Sequence, residues 1–422
     1  MMPTTAGAER RRVDDFGRLD LGLRQASDWY LWGPYVSERQ WGTVREDYSA
    51  DGDAWTYLPH DHARSRAYRW GEDGLAGFCD IEQRLCLALA LWNGRDPVLK
   101  ERAFGLTGTE GNHGEDVKEY WWYLDALPSH AWNSWRYHYP QQQFPYQQLL
   151  DENRRRGKFD SEYELLDTGV FDDGYWIVDV DYVKADPTDI LMTIRVTNAG
   201  SETELLHVLP TLWYRNTWSW DVGAGAPTLA ATATGTVGVE HPFLGDLELL
   251  AGPSPQGDGP ELLFCDNETN VARLYGVTGG SRWPKDGIND HVVSGADTVN
   301  PQRRGSKCAA WYRVTVAPGA TAELRLRLRR PGDDARRVRR IQSMASADGL
   351  DHRGCAQALG LSHLPGRQRR GRRGYRRRRL RHGLRWQSPG RDLAVATADR
   401  PQAMDTMMLE RRAFVRELPQ QR

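Results

Sequence analysis

The segment Ala322–Arg329 reads AELRLRLR, an unbroken alternation of leucine and arginine. A period of two puts the leucines on one face and the guanidinium groups on the other only in an extended strand; wound as a helix, the same residues would scatter charge all round. The alternation recurs in Asp189–Asn198 (DILMTIRVTN), where Ile190, Met192, Ile194 and Val196 oppose Thr193, Arg195 and Thr197. Tyr175–Val183 (YWIVDVDYV) and Trp311–Ala317 (WYRVTVA) read as further strands, and Pro318-Gly319 makes a hairpin candidate of the latter with AELRLRLR. Asp80–Trp92 (DIEQRLCLALALW) is a continuous apolar stretch bounded by Asp80 and Asn93-Gly94, and is expected to be a helix. Together these segments predict a mainly β chain, a large antiparallel β-sandwich with a few helices. No internal repeat is present.

The texture changes near residue 333. From Asp333 to Arg422 there are 22 Arg, no Lys and nine Asp or Glu, a formal charge of +13, whereas residues 1–332 hold 34 basic and 48 acidic residues, a charge of −14. Sixteen of the 17 Trp precede the boundary, and Arg367–Arg385 places eleven Arg in nineteen residues. Such a run buries too little apolar surface to offset its ordering entropy, so disorder is expected for it. Three origins are open: an out-of-frame stretch of GC-rich coding sequence, which yields Arg without Lys; a nucleic-acid-binding arm that neutralises phosphates; or an unusual folded extension. The expected organisation is a flexible amino terminus at 1–14, a β-sandwich at 15–332 and an Arg-rich tail at 333–422.

The opening MMPTTAGAERRR has no apolar run behind its basic residues, so no signal peptide is expected, and no stretch approaches the ~18 apolar residues of a membrane span. The five Cys (Cys79, Cys86, Cys265, Cys308 and Cys355) lack metal-ligand spacing and fit buried thiols in a reducing cytoplasm. The sequon-like Asn267-Glu268-Thr269 needs no glycan in that setting. The 17 Trp suggest both core positions and concave sites, because an indole matches the flat C–H face of a sugar ring.

Several long strings resemble bacterial members of glycoside hydrolase family 63, the mannosyl-oligosaccharide glucosidase-like enzymes. They are Glu38–Ser49 (ERQWGTVREDYS), His60–Asp80 (HDHARSRAYRWGEDGLAGFCD), Leu89–Asp125, Leu165–Trp176 (LLDTGVFDDGYW) and Leu209–Asp221 (LPTLWYRNTWSWD). The resemblance covers roughly residues 10–330. It implies an amino-terminal β-sandwich followed by an (α/α)6 barrel, and hydrolysis of α-glucosidic bonds with inversion by two carboxyl groups, one acid and one base. In the family both carboxyls sit in the barrel. Only 90 residues follow residue 332, too few for a barrel, so no catalytic residue is carried over and the chain is expected to be inactive by itself. The implied partners are an oligosaccharide or glucoside substrate and the missing catalytic barrel; no cofactor, metal or membrane partner is expected.

Polar-aromatic loops supply the candidate contact residues. Trp41, Arg45, Glu46, Asp47 and Tyr48 come first, then His113, Glu115, Lys118, Glu119 and Tyr120; Arg and carboxylate suit vicinal hydroxyls and a flat aromatic suits a ring face. The same residues would equally serve a buried interdomain contact. Glu110–Glu119 (EGNHGEDVKE) has one His among its carboxylates and reads as a charge-ordered loop rather than a metal site. His60-Asp61-His62, followed by Arg64 and Arg66, reads as a loop locked by an Arg–Asp pair. A non-catalytic carbohydrate-binding protein is the alternative function, and nucleic-acid association through the Arg tail the second.

Overall fold

A computed structural model of the chain describes residues 28–36, 59–67, 74–102, 120–220 and 225–332. All of these fall in the first of two units into which the chain divides, Met1–Leu364; the second, Pro365–Arg422, lies outside the described residues, and with it the run Arg367–Arg385.

Two antiparallel sheets make the fold. The six-stranded sheet has the order β1 (Trp32–Gly33), β2 (Leu75–Asp80), β3 (Leu85–Trp92), β8 (Glu204–Tyr214), β14 (Lys307–Val316) and β12 (Glu261–Cys265). The nine-stranded sheet runs β13 (Arg304–Gly305), β9 (Thr228–Ala233), β10 (Thr236–His241), β11 (Gly245–Ala251), β15 (Thr321–Arg329), β7 (Asp189–Asn198), β6 (Tyr175–Asp186), β5 (Trp132–Pro140) and β4 (Trp121–Ala126). The chain is therefore a β-sandwich, as the alternating segments predict. Ile190, Met192, Ile194 and Val196 of β7 and Leu324, Leu326 and Leu328 of β15 bury one face, and meet Leu206, Val208 and Leu212 of β8 in a single core. Trp135, Trp176, Tyr139 and Tyr182 are among its largest side chains and are wholly buried. Many of the tryptophans are thus structural. The helices are short: α1 (His60–Ala63), α2 (Tyr146–Arg155), α3 (Val271–Tyr275) and α4 (Gly287–Ser294). Among the described residues no helix is long and apolar enough to cross a membrane.

Two expectations are corrected. Asp80–Trp92 is not a helix but the end of β2, a turn, and β3. The Asp80 carboxylate accepts from the backbone N–H groups of Glu82, Arg84 and Leu85 at 3.0, 2.7 and 2.8 Å, which closes the turn. The apolar run is continuous because β3 is buried on both faces. Leu85, Leu87, Leu89 and Leu91 enter the main core, while Ala90 packs under Ile288 and Val292 of α4, and Cys86 and Ala88 pack with Val36 and Trp213.

The second correction concerns β14 and β15, which do not form a hairpin. β14 pairs with β8 and β12, β15 with β7 and β11, and Pro318-Gly319 carries the chain from one sheet to the other. Each strand has its own apolar face to bury, and crossing the core lets both faces meet there. Asn198 holds the crossing in place: its side chain donates to Val316 O at 2.8 Å, and its carbonyl accepts from Gly319 N at 2.8 Å, with Gly319 at φ 69°.

Candidate functional site

β8 ends at Tyr214, and the next residues turn outward because their side chains replace strand pairing with side-chain bonds. Asn216 Oδ1 accepts from Ser219 N at 3.2 Å and fixes the short 3-10 turn Trp218–Trp220. Asn216 Nδ2 donates to Asn267 O at 2.9 Å, and Asn267 Nδ2 donates back to Tyr214 O at 2.9 Å. These reciprocal bonds tie the exit of β8 to the exit of β12. Asn267 N also donates to Ser306 Oγ at 2.8 Å, and Lys285 N to Glu268 O at 2.9 Å.

Between the two exits lies a cleft of about 580 Å³. Trp218, Ser219, Trp220 and Asn216 form one wall; Glu268, Thr269, Val271 and Gly280 form the other, with Ala67 at the end. Trp218 packs against the main core, and its indole N–H donates to Glu268 Oε1 at 3.1 Å. Trp220 is 41% exposed. Among the described residues the second oxygen of Glu268 accepts no hydrogen bond. The cleft thus offers indole surface for C–H faces and one carboxylate for hydroxyls, a combination suited to binding a sugar. Among the described residues that line the cleft Glu268 is the one carboxylate, whereas inverting hydrolysis needs two carboxyls across the bond.

A buried ionic cluster underlies this region. Lys307 Nζ lies 3.1 Å from Glu101, and Arg102 NH1 also lies 3.1 Å from it. Burial by itself would raise the Glu101 pKa, but Lys307, Arg102 and Lys285 overcome that and hold it at about 2. Lys285 Nζ donates to Arg66 O at 2.8 Å, and Ser65 Oγ to Asp286 Oδ2 at 2.6 Å, so the segment after α1 is pinned to the loop before α4. The expected Arg–Asp lock is present: Asp61 pairs with Arg64 at 3.1 Å and with Arg273 at 2.7 Å. Beside it His60 is driven to about 3, first by burial and then by Lys100, Arg102 and Arg64, and it is neutral at ordinary pH.

Of the contact residues expected from sequence, Trp41, Arg45, Glu46, Asp47, Tyr48, His113, Glu115, Lys118 and Glu119 lie outside the described residues. Tyr120 is described; it packs against the core with its ring 4.9 Å from that of Phe171, on the nine-stranded side. Among the described residues no three His, Cys, Asp or Glu side chains gather into a set that could hold a metal ion. Trp218, Trp220 and Glu268 were not among the expected contact residues. Trp218 and Trp220 nevertheless stand within LPTLWYRNTWSWD, one of the family-like strings, so the signal was there.

No protein-family model matches the chain. The uncharacterized protein YMR196W of Saccharomyces cerevisiae is 38% identical over 354 residues, 76% of this chain and 32% of the yeast protein. The chain therefore spans about a third of the length of the curated relative it matches. Solved structures with some likeness include a galactose mutarotase related enzyme from Lactobacillus acidophilus, with 7% identity over 50% of this chain and 70% of that one, at a TM-score of 0.25. Heparinase III gives 9% identity over 50% and 21% at 0.23, and a polysaccharide lyase 10% over 57% and 24% at 0.25. All three are enzymes of carbohydrate chemistry by description, but overlays this loose fix nothing about the present chain.

Proposed function

We propose that this chain is the sugar-facing β-sandwich part of an inverting α-glucosidase-like hydrolase of family 63 type acting on oligosaccharides. In this reading residues 15–332 are the sandwich domain, 1–14 a flexible amino terminus and 333–422 an Arg-rich tail, and hydrolysis belongs to a barrel that these residues do not supply. The observation that carries it is the cleft between Trp218, Trp220 and Glu268, built on a family-like string and furnished for a sugar ring. The second reading is a carbohydrate-binding protein without catalysis of its own, favoured by Glu268 being the one carboxylate among the described residues that line the cleft.

The test uses the purified full chain. Maltotriose should quench its tryptophan fluorescence saturably, Trp220→Ala and Glu268→Gln should each weaken that response, and nitrophenyl α-glucoside should not turn over. A titration that stays flat into the millimolar range would remove the sugar site. Turnover would move the chemistry into this chain and overturn the division of labour.

A further inference from the structure

Two guanidinium groups at the adjoining ends of β3 and β8 have no ion-pair partner among the described residues, and one of them lies on a tryptophan of the cleft. Arg215, the residue after β8, lies over the Trp220 ring at 5.4 Å from its centroid, and its Nε is buried with no acceptor. Arg84, the residue before β3, lies over the exposed ring of Phe243 at 4.5 Å. Leu85 and Tyr214 are register partners, so Arg84 and Arg215 face each other across the two strand ends, joined by a bond from Arg215 N to Arg84 O of 3.0 Å.

Like charges placed opposite each other on neighbouring strands destabilise a sheet. Several strand arginines of this fold are matched: Arg136 with Asp179 and Arg327 with Asp189, both at 2.6 Å, and Arg329 with Glu248 at 2.8 Å. Asp80, on which Arg84 acts only as the last of several influences, already accepts three backbone N–H groups. Glu268, in the cleft itself, accepts from Trp218. A guanidinium stacked on an aromatic ring keeps its N–H edge for an anion. The adjoining ends of β3 and β8 therefore carry two positive groups, each on an aromatic ring, and that of Arg215 rests on the Trp220 of the cleft.

We propose that Arg84 and Arg215 receive the anionic group of an acidic saccharide, a carboxylate or a phosphate, whose ring lies against Trp220. The proposal rests on the reading of the cleft as a sugar site and adds the class of sugar. Guanidinium forks suit both anions, and the two sources are separated by the ligands used.

The experiment is a fluorescence titration of the unaltered full chain with glucose, glucuronate, glucose 6-phosphate and inorganic phosphate. Glucuronate or glucose 6-phosphate should bind at least about tenfold more tightly than glucose, the effect of one charge-assisted hydrogen bond, and whichever leads identifies the anion. Arg215→Gln and Arg84→Gln should each remove that advantage, and Arg215→Lys should keep part of it. If glucose binds as well as both acidic sugars, the arginine assignment falls while the sugar site stands. If no sugar binds, the cleft reading and this one fall together. Inorganic phosphate matching glucose 6-phosphate would also overturn it, because the ring would then contribute nothing. The ranking on the unaltered chain decides the matter even if a variant fails to fold.

Discussion

Lys184 allows the energetics of the sandwich to be tested at one atom. It is 1% exposed, and its ammonium donates to the carbonyls of Trp32 at 2.7 Å and Ser129 at 3.3 Å, and to that of Trp29. These carbonyls belong to the β1 region and to the turn before β5, so Lys184 of β6 clips the margin of one sheet to the other. Among the described residues no carboxylate pairs with it, and burial lowers its pKa from 10.5 to about 7. At ~1.4 kcal/mol for each tenfold change in proton affinity, that displacement corresponds to roughly 4 to 5 kcal/mol.

The sign follows from proton counting. Between pH 7 and 10 the unfolded chain holds the Lys184 proton and the folded chain sheds it, so stability due to this group rises with pH; it is complete above the unfolded pKa and lost as pH falls to about 7. Urea unfolding, followed by tryptophan fluorescence with reductant present, should be run on the wild type and on Lys184→Met from pH 6 to 10. Buried thiols and tyrosines titrate in both proteins and cancel in the difference. The wild type should gain several kcal/mol on the variant across this window. Parallel curves would refute the assignment of a buried, nearly neutral lysine.

Three further outcomes are expected. Asp189→Ala should cost about 3 to 5 kcal/mol by urea midpoint, because it leaves the Arg327 guanidinium buried and unpaired, and Asp189→Ala combined with Arg327→Leu should recover part of the loss. The sequon at Asn267 should stay unmodified in a glycosylating host, read as unchanged mass, because Asn267 is 1% exposed and its amide is bound to Tyr214 O. Cys79, Cys86, Cys265 and Cys308 are buried and free, and burial raises the pKa of Cys86, Cys265 and Cys308, so all four should react with a thiol reagent only after unfolding.

Half-buried strands were readable in advance because their two faces differ in chemistry: β6, β7 and β15 each put charge or threonine opposite aliphatic side chains. β3 hid its period because both faces are apolar; its alternation is one of size, Leu85, Leu87, Leu89 and Leu91 against Cys86, Ala88 and Ala90. Pro318-Gly319 announces a reversal but not its plane, which depends on where two apolar faces meet. The cleft was partly legible. Trp218 and Trp220 are conspicuous in the chain, but their partner Glu268 lies about fifty residues away and is brought there by the pairing of Asn216 with Asn267.

The position of β15 has a consequence for synthesis. Among the described residues it is the last strand in sequence, yet it lies inside the nine-stranded sheet, between β7 and β11. Until it arrives, that sheet is two blocks of four strands, each with a naked inner edge, and the six-stranded sheet gains β14 only just before. A ribosome must release residue 329 before the domain can close, so early termination within β15 yields an adhesive intermediate rather than a smaller protein.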